Sequence, residues 1–468
     1  MTSGIEFDPG SFRDPAGRVI AREGRIFRAV SPGKAEEAKA VLDAPFFKRR
    51  AGTSIVATTV SSDETLLRAL EEAADGAAYP LLLEHEKIDA VTYPFEWPFS
   101  LLKKAAELHL ELHLEALEDG YDLSDASAYN VQFVGTRPVF IDTLSFRRYR
   151  EGSYWQGYKQ FCEQFLAPLL LTAHCDIPFN DWYRGSLNGI DVRSLAGVLP
   201  FQSRLSLQTQ MHIFMHAKLL NRIQSHGGTA GSVRKGLPLS SLKGLLSGML
   251  RFVRSLKPRT HQNTYWKEYE FKNSYSAEDA LLKRAGVSRF VADRKPGTVL
   301  DVGCNSGDFS ELCLANGAKS AVGIDFDQGA LEAAITRADE KHLHLLPLYQ
   351  DLTNPSSPQG WALEERKPLV SRIKPDAVIA LAVLHHLIIG KNIPLPGAVQ
   401  WMTSLAPTGL LEFVPKQDPM LQGMLAHRED IFPNYTEEAF RRSLSDHARI
   451  LYEEESSASG RRIFVYER

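Results

Sequence analysis

The stretch VLDVGCNSGDFSELC, residues 299–313, constrains the fold of this chain more than any other. An apolar run with an acid near its end is followed by small residues, two glycines and a helical pattern. This order is typical of a buried strand, a tight turn and the start of a helix. Four more strand-like segments follow as far as residue 415, with helix-like segments between them. The alternation predicts a parallel sheet with helices on both faces, and the last two segments, RILYEEE and RRIFVYE, predict a terminal antiparallel hairpin.

The chain has 468 residues, which is too long for one ordinary core. We therefore predict an N-terminal accessory domain at residues 1–195, a basic helical linker at 196–263 and the sheet domain at 264–468. The formal charge of −3 gives no global attraction to nucleic acid, and none is expected as a specific partner. The four cysteines form no CxxC pair, so we predict neither a metal site nor a disulfide framework.

Two features favour a cytoplasmic location. The first residues, MTSGIEFDPGSFRDP, lack the apolar core of a signal peptide, and apolar runs such as FLAPLLL are too short to span a bilayer. There is also no Asp or Glu between Asp191 and Glu268, and residues 239–257 within this zone form a basic amphipathic helical pattern. That helix either docks between domains or contacts an anionic membrane surface or an acidic partner.

The glycine turn and three acids predict a ligand site. Ligands of open parallel sheets bind beyond the carboxyl ends of the strands, and Gly303 and Gly307 would let one approach the backbone. The dinucleotide pattern G-x-G-x-x-G is not present, because residue 305 is Asn and residue 308 is Asp. An acid at this helix start disfavours a pyrophosphate and favours a cationic ligand such as S-adenosylmethionine. Asp325 ends the second strand and would accept ribose hydroxyls, and Asp351 follows the third strand, where it could face an adenine amino group.

On these residues, the region from Thr298 to about Asp418 resembles class I S-adenosylmethionine-dependent methyltransferases. VLDVGCNSGDF is similar to the family's first motif, D-x-G-x-x-x-G, GIDFD to its second and DAVIALAVLHHL to its fourth. Asn305 stands where many members carry glycine, but Asn tolerates a positive φ better than most residues. The resemblance implies an α/β fold with a Rossmann-like seven-stranded sheet and a terminal antiparallel hairpin. The N-terminal domain is expected to be α+β.

The resemblance also implies S-adenosylmethionine as the cofactor. The turn from Asp301 to Gly307 would hold its methionine part, Asp325 its ribose, and Asp351 with the Leu352 backbone its adenine. The end of the fourth strand would line the reactive side. The cofactor-binding residues that we predict are Asp301, Gly303, Cys304, Asn305, Gly307, Asp325, Phe326, Asp351, Leu352 and Ala382.

His385 and His386, at the end of the fourth strand, are the candidate catalytic residues. Histidine suits the role of a base toward a hydroxyl acceptor, although one ring could instead pack and the other cap the loop. No D/N-P-P-Y run or pyrimidine-type cysteine nucleophile is present. These absences favour a hydroxyl, carboxyl or amine of a small molecule or saccharide as acceptor. Aromatic residues in the segment 264–275, and Glu412, Lys416 and Asp418, either shape the acceptor pocket or serve packing and surface charge.

The N-terminal region carries a second pattern, DASAYNVQFVGTRPVFIDTLSF, residues 125–146. It resembles the catalytic loop and metal-binding acid of protein-kinase-like phosphotransferases, with Asp125, Asn130 and Asp142 in the matching positions. The His-Arg pair, the glycine-rich loop and the strand lysine of that family are missing. The domain is therefore either an active ATP-dependent kinase that makes the protein bifunctional, or a degenerate or unrelated domain that binds the acceptor or a partner. A third alternative is a non-catalytic module that binds S-adenosylmethionine. The whole chain also vaguely resembles bacterial nodulation-related methyltransferases.

Overall fold

A computed structural model of the chain describes residues 7–73, 79–225, 236–258, 277–426 and 429–468. Two parts of the expected linker, residues 226–235 and 259–263, lie outside the described residues. The aromatic segment 264–275, expected near the acceptor pocket, lies outside them as well.

The strands are β1 (Gly17–Arg22), β2 (Arg25–Val30), β3 (Thr58–Val60), β4 (Leu81–His85), β5 (Tyr121–Leu123), β6 (Val131–Val134), β7 (Arg137–Phe140), β8 (Phe146–Arg148), β9 (Thr298–Val302), β10 (Ser320–Asp325), β11 (Leu345–Tyr349), β12 (Ala377–Ala380), β13 (Thr408–Phe413), β14 (Arg449–Glu455) and β15 (Arg462–Glu467).

The α-helices are α1 (Ala35–Leu42), α2 (Pro45–Arg50), α3 (Glu64–Ala73), α4 (Phe99–Glu118), α5 (Tyr158–Phe161), α6 (Ala167–Cys175), α7 (Asn180–Arg184), α8 (Val192–Val198), α9 (Leu207–Thr209), α10 (His216–Ser225), α11 (Leu239–Ser255), α12 (Ala277–Arg294), α13 (Asp308–Ala315), α14 (Gln328–Glu340), α15 (Leu369–Arg372), α16 (Leu395–Ser404), α17 (Pro419–Leu425) and α18 (Glu437–Ser445). The π-helical turns are Cys162–Leu166, Gln210–Met215 and His386–Gly390. The 3-10 turns are Pro9–Ser11, Pro94–Glu96, Ala128–Asn130, Thr143–Ser145, Phe201–Leu205 and Trp361–Leu363.

The C-terminal part contains the predicted seven-stranded sheet. Its strand order is β11-β10-β9-β12-β13-β15-β14. The first five strands of this order are parallel, and β15 runs antiparallel to both β13 and β14. Every residue of β12 is buried, as expected for a strand covered by helices on both faces. The α/β class, the sheet and the terminal hairpin are therefore confirmed.

The N-terminal part is α+β. β1, β2, β4 and β3 form an antiparallel sheet in that order, and Glu23 and Gly24 join the first two strands with positive φ values of 51° and 77°. Such a two-residue turn matches the twist of a hairpin. The long helix α4 packs most of its apolar residues into the core. The kinase-like identity of this domain is not confirmed and stays a prediction.

The N-terminal part and the sheet domain are packed together. Arg372 of α15 and Glu96 form an ion pair in which both side chains are almost completely buried. The same guanidinium lies over the ring of Tyr93, 3.9 Å from its centroid. Because an unpaired buried charge is costly, this contact requires both partners. The domain boundaries themselves remain predictions.

The basic helix α11 docks against α4. Its apolar residues Leu242, Leu246 and Met249 are buried, and Lys243 pairs with Glu118 across the two helices at 2.8 Å. The apolar face is therefore used inside the protein. Contact of α11 with a membrane or an acidic partner stays a prediction. Within the described ranges, no helix combines the length and the apolar character needed to cross a membrane.

Candidate active site

The turn after β9 has the backbone that its sequence predicts. Gly303, Asn305 and Gly307 have positive φ values of 74°, 49° and 79°. A Cβ on Gly303 would lie 2.5 Å from Cγ2 of Val383, so glycine is required there by space as well as by φ. This contact also places the loop after β12 directly against the turn. Asn305 fills its left-handed position as expected.

The Asp325 carboxylate ties this turn to the end of β10. It accepts hydrogen bonds from the backbone N–H groups of Asn305 (2.9 Å), Phe326 (2.7 Å) and Asp327 (3.0 Å). The side chain is buried, and burial raises its pKa although these hydrogen bonds lower it. A carboxylate at this point can still accept ligand hydroxyls, because each oxygen has two lone pairs.

Asp301 is a second buried acid on the neighbouring strand. Its Oδ2 accepts a 2.6 Å hydrogen bond from the Ser310 hydroxyl. Burial raises the pKa of Asp301 to about 7 against the effect of that hydrogen bond, and the charge of Asp325 adds to the rise. Two buried acids whose charged forms are disfavoured would be stabilised by a positively charged ligand. The two carboxylates therefore fit the ammonium and sulfonium groups of S-adenosylmethionine.

The other predicted cofactor residues also follow the carboxyl ends of the parallel strands. Phe326 directly follows Asp325 and is 58% exposed, which leaves its ring available to a flat apolar group. Asp351 and Leu352 follow β11 and are half-buried. One Asp351 oxygen accepts from both the N–H and the hydroxyl of Thr353, so this acid also stabilises its own turn.

Two details differ from the sequence argument. The Cys304 side chain is buried against Gly323, where a Cβ would lie 2.8 Å from its sulfur, so only its backbone faces the turn. Asp308 forms ion pairs with Arg284 and Arg337. Its charge is therefore largely compensated, and the electrostatic preference for a cation comes from Asp301 and Asp325 instead.

The end of β12 faces the turn from the other side. Ala382 has a φ of 55°, a strained value for a residue with a side chain. The rings of His385 and His386 follow, with centroids 4.2 Å apart. His385 is fully buried with Nε2 3.3 Å from the sulfur of Met420, whereas His386 is half-buried. Burial and the nearby charge of Arg461 lower the pKa of His386 to about 4, and burial holds the pKa of His385 well below its ordinary value.

Sequence reasoning left two roles open for the acids near β13, and the structure places both acids in ion pairs. Glu412 is buried in an ion pair with Lys283 of α12 at 2.8 Å. Asp418 caps α17 and pairs with the buried Arg461 at 2.7 Å. These acids serve packing, and Lys416 pairs with Asp430 near the surface. The pairs join positions 129 and 43 residues apart, which no local pattern reveals.

Helix α7 of the N-terminal part contacts the segments that follow β10 and β11. Asn180 accepts a 2.8 Å hydrogen bond from Gln328, three residues beyond Asp325. Arg184 donates to the carbonyl oxygens of Asn354 (2.7 Å) and Pro355 (2.8 Å), in the loop that contains Asp351. The accessory domain is therefore built into this side of the site.

The residues of the kinase-like pattern also come together. Asn130 Nδ2 lies 3.4 Å from Asp142, and Asp142 raises the pKa of the Asp125 carboxyl in addition to the effect of burial. However, Arg28 from β2 pairs with Asp142 at 2.7 Å and also with Asp14. In the part of the chain that the structure describes, no three His, Cys, Asp or Glu side chains are arranged to hold a metal ion.

The sheet order, the left-handed turn and the acids at successive strand ends define a class I S-adenosylmethionine-dependent methyltransferase. Residues 265–445 match the family model described as a methyltransferase domain. Over 461 residues the chain is 41% identical to the nodulation protein NoeA of Rhizobium meliloti strain 1021, covering 98% of this chain and 95% of that protein. The chain therefore belongs to the NoeA family, and S-adenosylmethionine is its cofactor.

Solved structures give weaker likenesses. The N-methyltransferase NodS from Bradyrhizobium japonicum WM9 is 15% identical, with a TM-score of 0.31, over 41% of this chain and 98% of that one. Magnesium protoporphyrin IX methyltransferase from Synechocystis PCC 6803 with bound SAH is 23% identical, with a TM-score of 0.31, over 47% and 94%. At these TM-scores neither likeness bears on function.

The titration of Asp301 predicts a pH dependence of cofactor binding. The ammonium group of S-adenosylhomocysteine favours the ionised carboxylate, so the affinity for this ligand should rise roughly fivefold to tenfold from pH 6 to 7.5, as Asp301 ionises in the free protein. Calorimetry in buffers of different ionisation enthalpy should detect proton release at pH 6.5. The Asp301→Asn variant should show a flat profile, and a flat profile in the wild type would contradict this role.

The α7 contacts predict a specificity effect. Arg184→Ala frees the loop that carries Asp351, so the preference for S-adenosylhomocysteine over S-inosylhomocysteine, which lacks the adenine amino group, should shrink several-fold. Arg193→Ala is the matched control, because Arg193 pairs with Asp191 at the start of α8. Binding is measured by calorimetry for both ligands. An equal loss of affinity for both ligands would show that Arg184 only stabilises the loop and does not affect recognition of the adenine amino group.

Proposed function

We propose that this methyltransferase transfers its methyl group to a hydroxyl, carboxyl or amine of a small molecule or saccharide. One arrangement carries the proposal: two buried acids, Asp301 and Asp325, lie at the turn, and the half-buried His386 lies on the loop that packs against the same turn. The name of the NoeA relative leads us to propose further that the product serves nodulation.

The binding roles follow from position and charge. Asp325 and the turn from Asp301 to Gly307 would hold the ribose and the methionine part, and Phe326 and Asp351 would face the adenine. S-Adenosylmethionine, when bound, supplies an electrophilic methyl group on a positively charged sulfur. Because charge is dispersed when such a methyl group is transferred, the chain mainly has to align the acceptor and exclude water.

His386 is the better candidate for the base. His385 is fully buried beside Met420, whereas His386 is half-buried and its backbone N–H bonds to Val383, which contacts the Gly303 turn. With a pKa of about 4, its imidazole is neutral throughout the neutral range and can accept a proton. A base this weak is sufficient when the acceptor proton becomes acidic during attack, as a hydroxyl proton does once its oxygen forms the new C–O bond.

The acceptor class is tested by transfer of radiolabelled methyl from S-adenosylmethionine to three sugars. Glucose presents hydroxyls, glucosamine an amine and galacturonic acid a carboxylate. We expect label in at least one of them or in the low-mass fraction of a cell extract. Label that enters only protein or nucleic acid would overturn the proposed acceptor class and leave the cofactor site intact.

Once an acceptor is found, the base is tested by substitution. His386→Gln should lower kcat roughly a hundredfold, the usual contribution of a positioned base, and leave the affinity for S-adenosylhomocysteine unchanged. His447→Gln is the matched control, because that residue is exposed in the turn between α18 and β14. An unchanged kcat in His386→Gln would show that His386 does not act as the base.

A further inference from the structure

The segment from Phe201 to Arg222 exposes an apolar surface that the methyltransferase site does not use. It runs from a 3-10 turn through α9, a π-helical turn and α10. Six large apolar side chains on it are 37–79% exposed. We call them the apolar stripe: Phe201, Leu205, Leu207, Met211, Met215 and Leu219.

Four of the six stripe residues lie along one face of the helix, and Phe201 and Leu205 precede it on the 3-10 turn. Leu207, Met211, Met215 and Leu219 are each four residues apart, a spacing that keeps side chains on the same side. The opposite side is used for packing, since His212, Ile213 and Ala217 are buried. The helix is therefore apolar on both sides. Only one of these faces is buried in the protein.

The remaining exposed residues of this segment are cationic or neutral. They are Gln202, Arg204, Lys218, Asn221 and Arg222. The segment contains no acid, and no acid occurs anywhere between Asp191 and Glu268. Single exposed apolar residues are ordinary on protein surfaces. Six of them in one acid-free segment that also exposes Arg204, Lys218 and Arg222 match the pattern of helices that lie in the interface of an anionic bilayer.

We propose that this face binds the surface of an anionic membrane, with the apolar stripe in the headgroup and acyl boundary and the cationic residues against lipid phosphates. A bilayer supplies both an apolar layer and negative charge, and so meets both properties of the face. α11 does not offer this combination, because its apolar residues pack against α4. The contact is peripheral and would hold the methyltransferase site near acceptors at the membrane.

Co-sedimentation with lipid vesicles tests the proposal on the full chain. We expect binding to vesicles of phosphatidylcholine mixed with phosphatidylglycerol, and weak or no binding to phosphatidylcholine alone. Leu207→Gln with Met215→Gln should weaken binding about tenfold or more, because apolar area is lost from the bilayer contact. Lys218→Glu with Arg222→Glu should weaken it as well and reduce its dependence on salt.

The matched control replaces exposed apolar residues elsewhere, Val60→Gln with Leu281→Gln, and should bind vesicles like the wild type. All variants should keep the melting temperature and the affinity for S-adenosylhomocysteine, which separates this test from that of the proposed function. Absence of vesicle binding by the wild type, or unchanged binding by the stripe variant, would overturn the proposal. A concentration-dependent dimer that Met215→Gln dissociates, without lipid binding, would overturn it in favour of a second copy of the chain.

Discussion

The hydrogen bond from the Asn305 backbone to the Asp325 carboxylate joins the glycine turn of β9 to the end of β10. The acid is buried and the bond is partly buried, so leaving the carboxylate unpaired would be costly. The turn can meet that carboxylate because Asn305 accepts a left-handed φ and Gly303 leaves room for Val383. This hydrogen bond thus joins the turn to the second strand end, and the contact between Gly303 and Val383 places the loop after β12 against the same turn.

The same carboxylate sets the electrostatics of the site. Burial disfavours the charged forms of both Asp301 and Asp325, and the charge of Asp325 raises the pKa of Asp301 further. A cationic cofactor relieves that cost, which is a physical reason for the class of ligand as well as for its place. The N-terminal part contributes through α7, because Asn180 and Arg184 hold the loops that follow the second and third strands. We therefore regard the accessory domain as part of the cofactor site.

The sequence allowed the strands, the turn and the acids at the strand ends to be predicted because each depends on local pattern. An apolar run, a positive-φ asparagine and an acid after a strand are all visible within a few residues. The contacts of Arg184 with Pro355, and of Lys283 with Glu412, join distant parts of the chain and leave no such signal. The basic pattern of α11 was visible too, but amphipathic periodicity does not distinguish a helix packed on α4 from one exposed to a partner. The apolar stripe at Phe201–Leu219 was missed because this helix has apolar residues on both faces. In the sequence, the exposed apolar residues cannot be told from those that pack into the core.

The central claim is that the carboxyl end of the sheet binds the cofactor through Asp325. Its most direct test is calorimetric titration of S-adenosylhomocysteine into the wild type, Asp325→Ala and Asp376→Ala. Asp376 is a matched control, because it also accepts a backbone N–H, from Thr298, but at the amino ends of the parallel strands of the same sheet. We expect tight binding to the wild type and the control, and binding weaker by roughly tenfold to a hundredfold in Asp325→Ala. Equal affinity in all three proteins, or no binding to the wild type, would contradict the account.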